Sequence, residues 1–201
     1  MRLLELFSGT KSVSKIFTQH GYETVSLDIL HANDPTIHCD ILTWDYRSAY
    51  HPGHFDVIWS SPPCTQYSTA RTTNKRPRDF PAADAIVGKA LEIIEYFQPK
   101  WYFIENPYTG YLKTRPVIQH LNPPYIFDYC RFGTSYRKRT AIWSNNPHLQ
   151  NKLCDKTCAG WTGRKHAANA QRGQGKGKPC LSLNTLHAIP PGLCEEICAA
   201  C

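Results

Sequence analysis

No stretch of this chain approaches the roughly 18 to 20 uninterrupted apolar residues that cross a bilayer. No basic region followed by an apolar run stands near Met1 either, because the sequence goes straight into Leu3-Leu4-Glu5-Leu6-Phe7. A soluble, intracellular protein with no membrane partner is the expectation. Internal repeats are lacking. The cysteines lack a partner for every member: there are nine, so a complete disulfide framework is excluded, and metal binding or catalysis accounts for them better. The three-glycine dinucleotide fingerprint is missing too, since only Gly9 follows the first apolar run. Acidic residues are scarce in one place above all. Between Gln150 and Cys180, Lys152, Lys156, Arg164, Lys165, Arg172, Lys176 and Lys178 face only Asp155, a local +6 in a chain of +7. Smaller basic groups are Arg71, Lys75, Arg76 and Arg78, and Arg137, Lys138 and Arg139. A polyanionic partner is the natural reading, because neutralised phosphates release counterions, with a solvated surface as the alternative.

What is present suits one ordinary domain of 201 residues, with 41% hydrophobic content to fill a single core. Residues 1–145 alternate short apolar runs with helix-like stretches, the pattern of a parallel sheet covered by helices. Strands are expected over 2–7, 23–28, 36–40, 55–60 and 101–105, and helices over 11–20, 79–98 and 116–120. Two late strands, 125–132 and 139–144, are expected to pair antiparallel. Cys39 and Cys130 fall inside these strand-like segments and read as buried small hydrophobes. The fold class is α/β, doubly wound and mostly parallel, with a small basic cysteine-containing insertion. Residues 1–145 form the core, 146–185 the insertion, and 186–201 a carboxyl-terminal helix packing back on the core.

Ser61-Pro62-Pro63-Cys64 is the most informative stretch. A cysteine just past a central strand, on a turn stiffened by two prolines, is held at the sheet edge where open α/β folds bind substrates. Ile104-Glu105-Asn106-Pro107 ends the adjacent strand and brings a carboxylate to the same rim. A thiolate beside a protonatable carboxyl suits addition to a conjugated, weakly electrophilic ring. Leu4-Glu5-Leu6-Phe7-Ser8-Gly9 places backbone N–H groups at the carboxyl end of the sheet. Asp28 and Asp40 end the next two strands, where they either meet a nucleoside cofactor or cap loops.

These segments, with Ser26-Leu27-Asp28-Ile29, Cys39-Asp40-Ile41 and Tyr136-Arg137-Lys138-Arg139-Thr140, occur in the order and at roughly the spacing of the cytosine carbon-5 DNA methyltransferases. The chain resembles a short phage- or virus-type member of that family. Ala188-Ile189-Pro190-Pro191 is similar to the family's final motif. The resemblance implies an S-adenosylmethionine pocket at Phe7, Ser8, Gly9, Asp28, Ile29, Asp40, Ile41 and Pro62. It implies Cys64 as nucleophile, Glu105 as its acid, Arg137 or Arg139 steadying the base, and a cytosine flipped from double-stranded DNA. Arg71, Lys75, Arg76, Arg78, Arg164 and Lys165 would meet nucleic acid, and the enzyme would act as a monomer. The sequence departs from the family at Thr10 and Lys11, where a second glycine is usual, at Thr65-Gln66, at Tyr136 in place of glutamine, and at Leu186-His187 in place of Gly-Asn.

Cys154-x3-Cys158, followed by His166 and Cys180, offers ligands of the types zinc accepts, and free thiols in a basic loop are the other reading. The helix at 190–200 places Cys194 and Cys198 on one face, where they pack or, with Cys201, take a metal. Three other functions fit parts of the sequence. They are a transfer-RNA methyltransferase of the same chemistry, an amino-group methyltransferase whose usual aromatic is replaced by Cys64, and a non-catalytic nucleic-acid-binding relative.

Overall fold

A computed structural model describes residues 1–71, 76–170 and 181–201. The chain runs β1 (Arg2–Leu6), α1 (Ser12–Gln19), β2 (Glu23–Asp28), β3 (Ile37–His38), α2 (Tyr46–Ala49), β4 (Val57–Ser60) and α3 (Phe80–Phe97). It continues through β5 (Trp101–Pro107), α4 (Pro116–Gln119), β6 (Tyr125–Asp128), β7 (Arg139–Ser144), α5 (Leu183–His187) and α6 (Pro191–Ala199). Among the described residues the strands form one sheet in the order β3-β2-β1-β4-β5-β7-β6. β1 pairs in parallel with β2 and β4, and β4 with β5, whereas β7 runs antiparallel to both β5 and β6. The doubly wound arrangement expected from the sequence is therefore present, with β7 as the reversed strand.

Strand periodicity explains the layering. Successive side chains leave opposite faces of a sheet. Leu4, Leu6, Ile58, Ile104, Ala141 and Trp143 pack on one face with Ala83, Val87, Ala90 and Phe97 of α3. Their neighbours Leu3, Val57, Trp59, Phe103 and Ile142 pack on the other, against Val13 and Phe17 of α1 and Leu193 and Ile197 of α6. Cys194 and Cys198 are buried in that second core, as packing residues. The helix α3 starts where Asp79 accepts from the Ala82 N–H at 3.0 Å and stops at Gln98, which turns left-handed with φ 47°. No helix among the described residues is long and apolar enough to cross a membrane.

Two expected strands are corrected. Residues 125–132 are not one strand: β6 ends at Asp128 and a 3₁₀ turn, Tyr129–Phe132, follows, closed by Gly133 at φ 88°. That turn takes Cys130 out of the ladder and aims its sulfur at the insertion. The strand expected over 36–40 is only Ile37–His38, and Cys39 sits half-buried in the loop beyond it, its thiol donating to the Asp40 carbonyl at 3.3 Å. The short helices α2 and α5 have too few residues to leave a period in the sequence.

Candidate active site

In open α/β sheets the ligand crevice lies outside the carboxyl ends of the strands where their order reverses. Here that point is between β1 and β4. The chain leaves β1 through Phe7 at φ 59° and Gly9 at φ 45°, a compact left-handed turn into α1. Glu5, buried on β1, secures the turn from beneath: it accepts from the backbone N–H of Val13 at 3.3 Å and of Ser14 at 2.9 Å, and from the Ser14 hydroxyl. Burial pushes the Glu5 carboxyl up, against the pull of these bonds.

Asp28, at the end of β2, accepts from the Gly9 N–H through Oδ2 and from the Leu30 N–H through Oδ1, each at 2.8 Å. It therefore shapes the turn itself, and each carboxylate oxygen keeps a second lone pair for a ligand hydroxyl. Two observations fit a nucleoside cofactor at this edge. Ile29 and Leu30 stand 59% and 61% exposed directly after Asp28, offering an apolar surface for a flat base. The buried Ser8 Oγ has no hydrogen-bond partner among the described residues. Asp40 accepts from the Leu42 N–H at 3.0 Å, capping the loop that places Ile41 in the core.

Cys64 follows β4. Its loop is tied down on three sides: the Ser61 N–H donates to the Leu6 carbonyl at 3.3 Å, Trp59 Nε1 to Ser61 Oγ at 2.7 Å, and Asn106 Nδ2 to the Pro62 carbonyl at 3.0 Å. The Cys64 carbonyl in turn accepts from the N–H groups of Tyr67 and Ser68. Glu105 lies buried on adjacent β5, where Tyr129 Oη, at 3.2 Å, and Thr140 Oγ1 both donate to its Oε1. Lys138 Nζ stands 4.0 Å from the same oxygen and donates to the Leu186 carbonyl at 3.2 Å. Burial pushes the Cys64 thiol up, Lys138 pulls it down, and Glu105 adds to the rise. Burial, reinforced by Glu105, holds the Tyr129 hydroxyl firmly protonated and hence a donor.

The basic residues divide. Arg137, Lys138 and Arg139 all line the cleft that Cys64 opens into, about 1490 Å³ in volume, and Arg139 is in addition bound to Asp128 through two parallel bonds of 2.9 and 2.8 Å. Arg78 donates to the carbonyls of Gln66, at 2.5 Å, and Ser68, at 2.9 Å, and Arg71 to Gln66 Oε1 at 2.7 Å. Both brace the loop after Cys64. Arg76 lies exposed near them, and Lys75 is outside the described residues. Lys156, Trp161 and Lys165, from the chain after β7, form a wall of the same cleft, which His187 also lines, and Arg164 next to Lys165 is exposed. Burial lowers the His187 imidazole, with Lys138 acting in the same direction.

Behind that wall, Cys154, Cys158 and His166 meet, and the fourth donor is Cys130 from the core; all four ligand atoms lie within 4.8 Å of one another. Cys180 lies outside the described residues. Sequence reasoning missed Cys130, Lys138, Tyr129 and Thr140. Lys138 sits between two arginines of the quoted motif, and that position is the one signal that singles it out.

The profile of the C-5 cytosine-specific DNA methylases matches residues 1–108. A protein of Frog virus 3 (isolate Goorha), named "Probable DNA (cytosine-5)-methyltransferase", is 32% identical over an alignment of 220 residues that covers 100% of both chains. Two solved structures share the fold. A methyltransferase of Entamoeba histolytica superimposes with a TM-score of 0.54 at 15% identity, covering 77% of this chain and 57% of that one. A protein encoded within an Escherichia coli prophage, described as a DNA modification methyltransferase, gives 0.52 at 13% identity over 72% of this chain and 46% of its own. The chain thus spans about half the length of these solved structures.

Proposed function

The chain belongs to the C-5 cytosine-specific DNA methylases, a family of S-adenosylmethionine-dependent enzymes, and on that premise we propose that it methylates carbon 5 of cytosine in double-stranded DNA, with Cys64 as nucleophile and Glu105 as its acid partner. One observation carries the reading: Cys64 after β4, Glu105 on β5 and the turn after β1 converge at the point where the strand order reverses. S-adenosylmethionine would be held by Phe7, Ser8, Gly9, Asp28, Ile29, Asp40, Ile41 and Pro62 and would supply an electrophilic methyl group.

The chain's own groups do the rest. Target ring atoms are hidden in a stacked duplex, so the cytosine must swing into the cleft. Cys64 gives up its proton and its sulfur bonds carbon 6, which drives the electron pair of the 5,6 double bond onto carbon 5. Glu105, with Oε1 fixed by Tyr129 and Thr140, presents Oε2 to ring nitrogen 3 and in its protonated form donates to it. Once carbon 5 is methylated, loss of its proton to solvent, return of the ring-nitrogen proton to Glu105 and expulsion of the Cys64 sulfur restore the aromatic ring and the free enzyme. Lys138 holds positive charge beside both groups, Arg137 steadies the base, and Arg139 acts through Asp128 as a support of the hairpin. Lys156, Arg164 and Lys165 meet phosphates on a wall of the same cleft, while Arg71 and Arg78 keep the nucleophile's loop in shape.

Nucleoside mass spectrometry of duplex DNA incubated with protein and S-adenosylmethionine tests the assignment. The expected product is 5-methylcytosine, lost completely in Cys64→Ala, with a covalent adduct forming on a 5-fluorocytosine duplex. Methyl groups on an exocyclic nitrogen, or on transfer RNA in place of DNA, would overturn it.

A further inference from the structure

The cleft wall after β7 is built from chain that has almost nothing to fold around. Between residues 151 and 170 only Gly160 and Ala168 are buried, and isolated bridges take the place of helices and strands. Such a segment needs a staple, because it cannot supply a core of its own. Some anchoring is backbone: Lys152 donates to the Ile126 carbonyl and accepts from Asp128, both at 2.9 Å. Gly160 lies against the Thr134–Ser135 backbone so closely that an added Cβ would meet the Thr134 carbonyl oxygen at 2.9 Å. These contacts, with the Arg131–Asp155 ion pair and the turn bonds at Trp161, Thr162 and Ala167, hold the segment by backbone and surface bonds and bury little apolar side chain.

We propose that Cys130, Cys154, Cys158 and His166 bind one structural zinc ion that clamps this segment to the turn after β6, and so fixes the cleft wall carrying Lys156, Trp161 and Lys165.

The measured edges of the ligand group carry the argument. Cys154 Sγ and Cys158 Sγ are 3.7 Å apart, and they stand 3.5 and 3.4 Å from His166 Nε2. A tetrahedron with zinc–sulfur bonds of about 2.3 Å and zinc–nitrogen bonds of about 2.0–2.1 Å has sulfur–sulfur edges of about 3.8 Å and sulfur–nitrogen edges of about 3.5 Å. These three edges match the ion rather than a disulfide, whose sulfurs lie about 2.05 Å apart, and Cys130 Sγ lies within 4.8 Å of the other three ligand atoms. A backbone N–H, that of Lys156, already points at Cys154 Sγ at 3.4 Å, the kind of bond that steadies a metal-bound sulfur. Four protein ligands leave no open position, so the ion is structural, not catalytic. On binding, the three thiols release their protons to solvent and His166 coordinates as the neutral ring, with no change of oxidation state.

The placement of Cys130 gives the site its consequence. Three ligands come from the insertion and the fourth from the core turn, 24 residues upstream of Cys154, so the metal is a cross-link between the two. Asp128, two residues before Cys130, takes the Cys154 N–H at 2.9 Å and both Arg139 bonds, which ties the same corner to β7. The assignment rests on ligand geometry and stands independently of the methyl-transfer reading.

Elemental analysis of the full chain, purified without chelator, should find close to one zinc per chain. Cys130→Ser and Cys154→Ser should each lose most of it, and Cys39→Ser should keep it. Because a ligand variant can fail to fold, the wild-type chain gives the second measurement. Stripping its metal should speed proteolysis within residues 150–170 by about tenfold, zinc should restore protection, and cobalt in its place should show thiolate charge-transfer absorption. A chain that carries no stoichiometric zinc and gives no such absorption with cobalt would overturn the site. Retention of metal in Cys130→Ser with loss in Cys180→Ser would overturn the clamp.

Discussion

The thiol of Cys64 is pulled in two directions. Burial raises it and Glu105 raises it further, while the positive charge of Lys138 and a backbone hydrogen bond lower it. In the proposed mechanism the attacking species is the thiolate, so its fraction grows as pH approaches the elevated thiol value from below. Adduct formation with a 5-fluorocytosine duplex should therefore climb about tenfold per pH unit and show no plateau at the ordinary thiol value of 9.0. Stopped samples across a pH series, resolved on denaturing gels, give the profile. Removing the one lowering charge raises the thiol again, so Lys138→Met should displace the profile to higher pH while Lys138→Arg largely restores it. A uniform drop at all pH values would show that Lys138 acts through structure alone. Glu105→Gln keeps the shape of the site and removes the transferable proton, and a kcat loss of about 10²- to 10⁴-fold is expected in single-turnover assays.

The hairpin of β6 and β7 joins the catalytic rim to the insertion. Its Asp128 is fully buried and binds Arg139, whose side chain is one-third exposed. Breaking a buried pair costs about 3–5 kcal/mol, and the partial exposure of Arg139 brings the expected cost of Asp128→Asn to roughly 2–3 kcal/mol in urea unfolding. The pH dependence has a definite sign. Burial pushes the Asp128 carboxyl up, but the Arg139 bonds and the Cys154 N–H outweigh it, so it lies below the ordinary 3.8. A depressed carboxyl stabilises the fold above the unfolded value and loses that contribution as pH falls through the folded one. The stability gap between wild type and Asp128→Asn should therefore be widest above pH 3.8 and shrink below it.

At the scale of the whole molecule, charge and shape meet in the cleft. Lys156 and Lys165 line it together with Cys64, within a chain of net charge +7. Each phosphate contact contributes about one unit to the slope of log affinity against log salt. The double variant Lys156→Ala, Lys165→Ala should lower that slope by about 2 in fluorescence anisotropy with a short duplex. An unchanged slope would remove this wall from the DNA interface.

Much of this arrangement is legible in the sequence. The 2–7 and 23–28 strands, the long helix up to Pro99 and the positions of Cys64 and Glu105 at the ends of neighbouring strands follow from local alternation and from prolines that stop pairing. Those signals are short in range, and the residues that create them lie within one element. What tertiary structure alone decided is which distant side chains meet. Cys130 is buried, as its apolar surroundings in the sequence suggest, but only the 3₁₀ turn closed by Gly133 shows that its sulfur lies beside Cys154. Arg139 lines the cleft as the sequence suggests, but only the β6–β7 register shows that it is also paired with Asp128. Lys138, just before β7, stands 4.0 Å from Glu105, while its neighbour Arg139, the first residue of β7, is turned to Asp128. Pairings of this kind depend on register and on the direction of a turn, which arise from the packing of elements far apart in the chain and leave no period within any one of them.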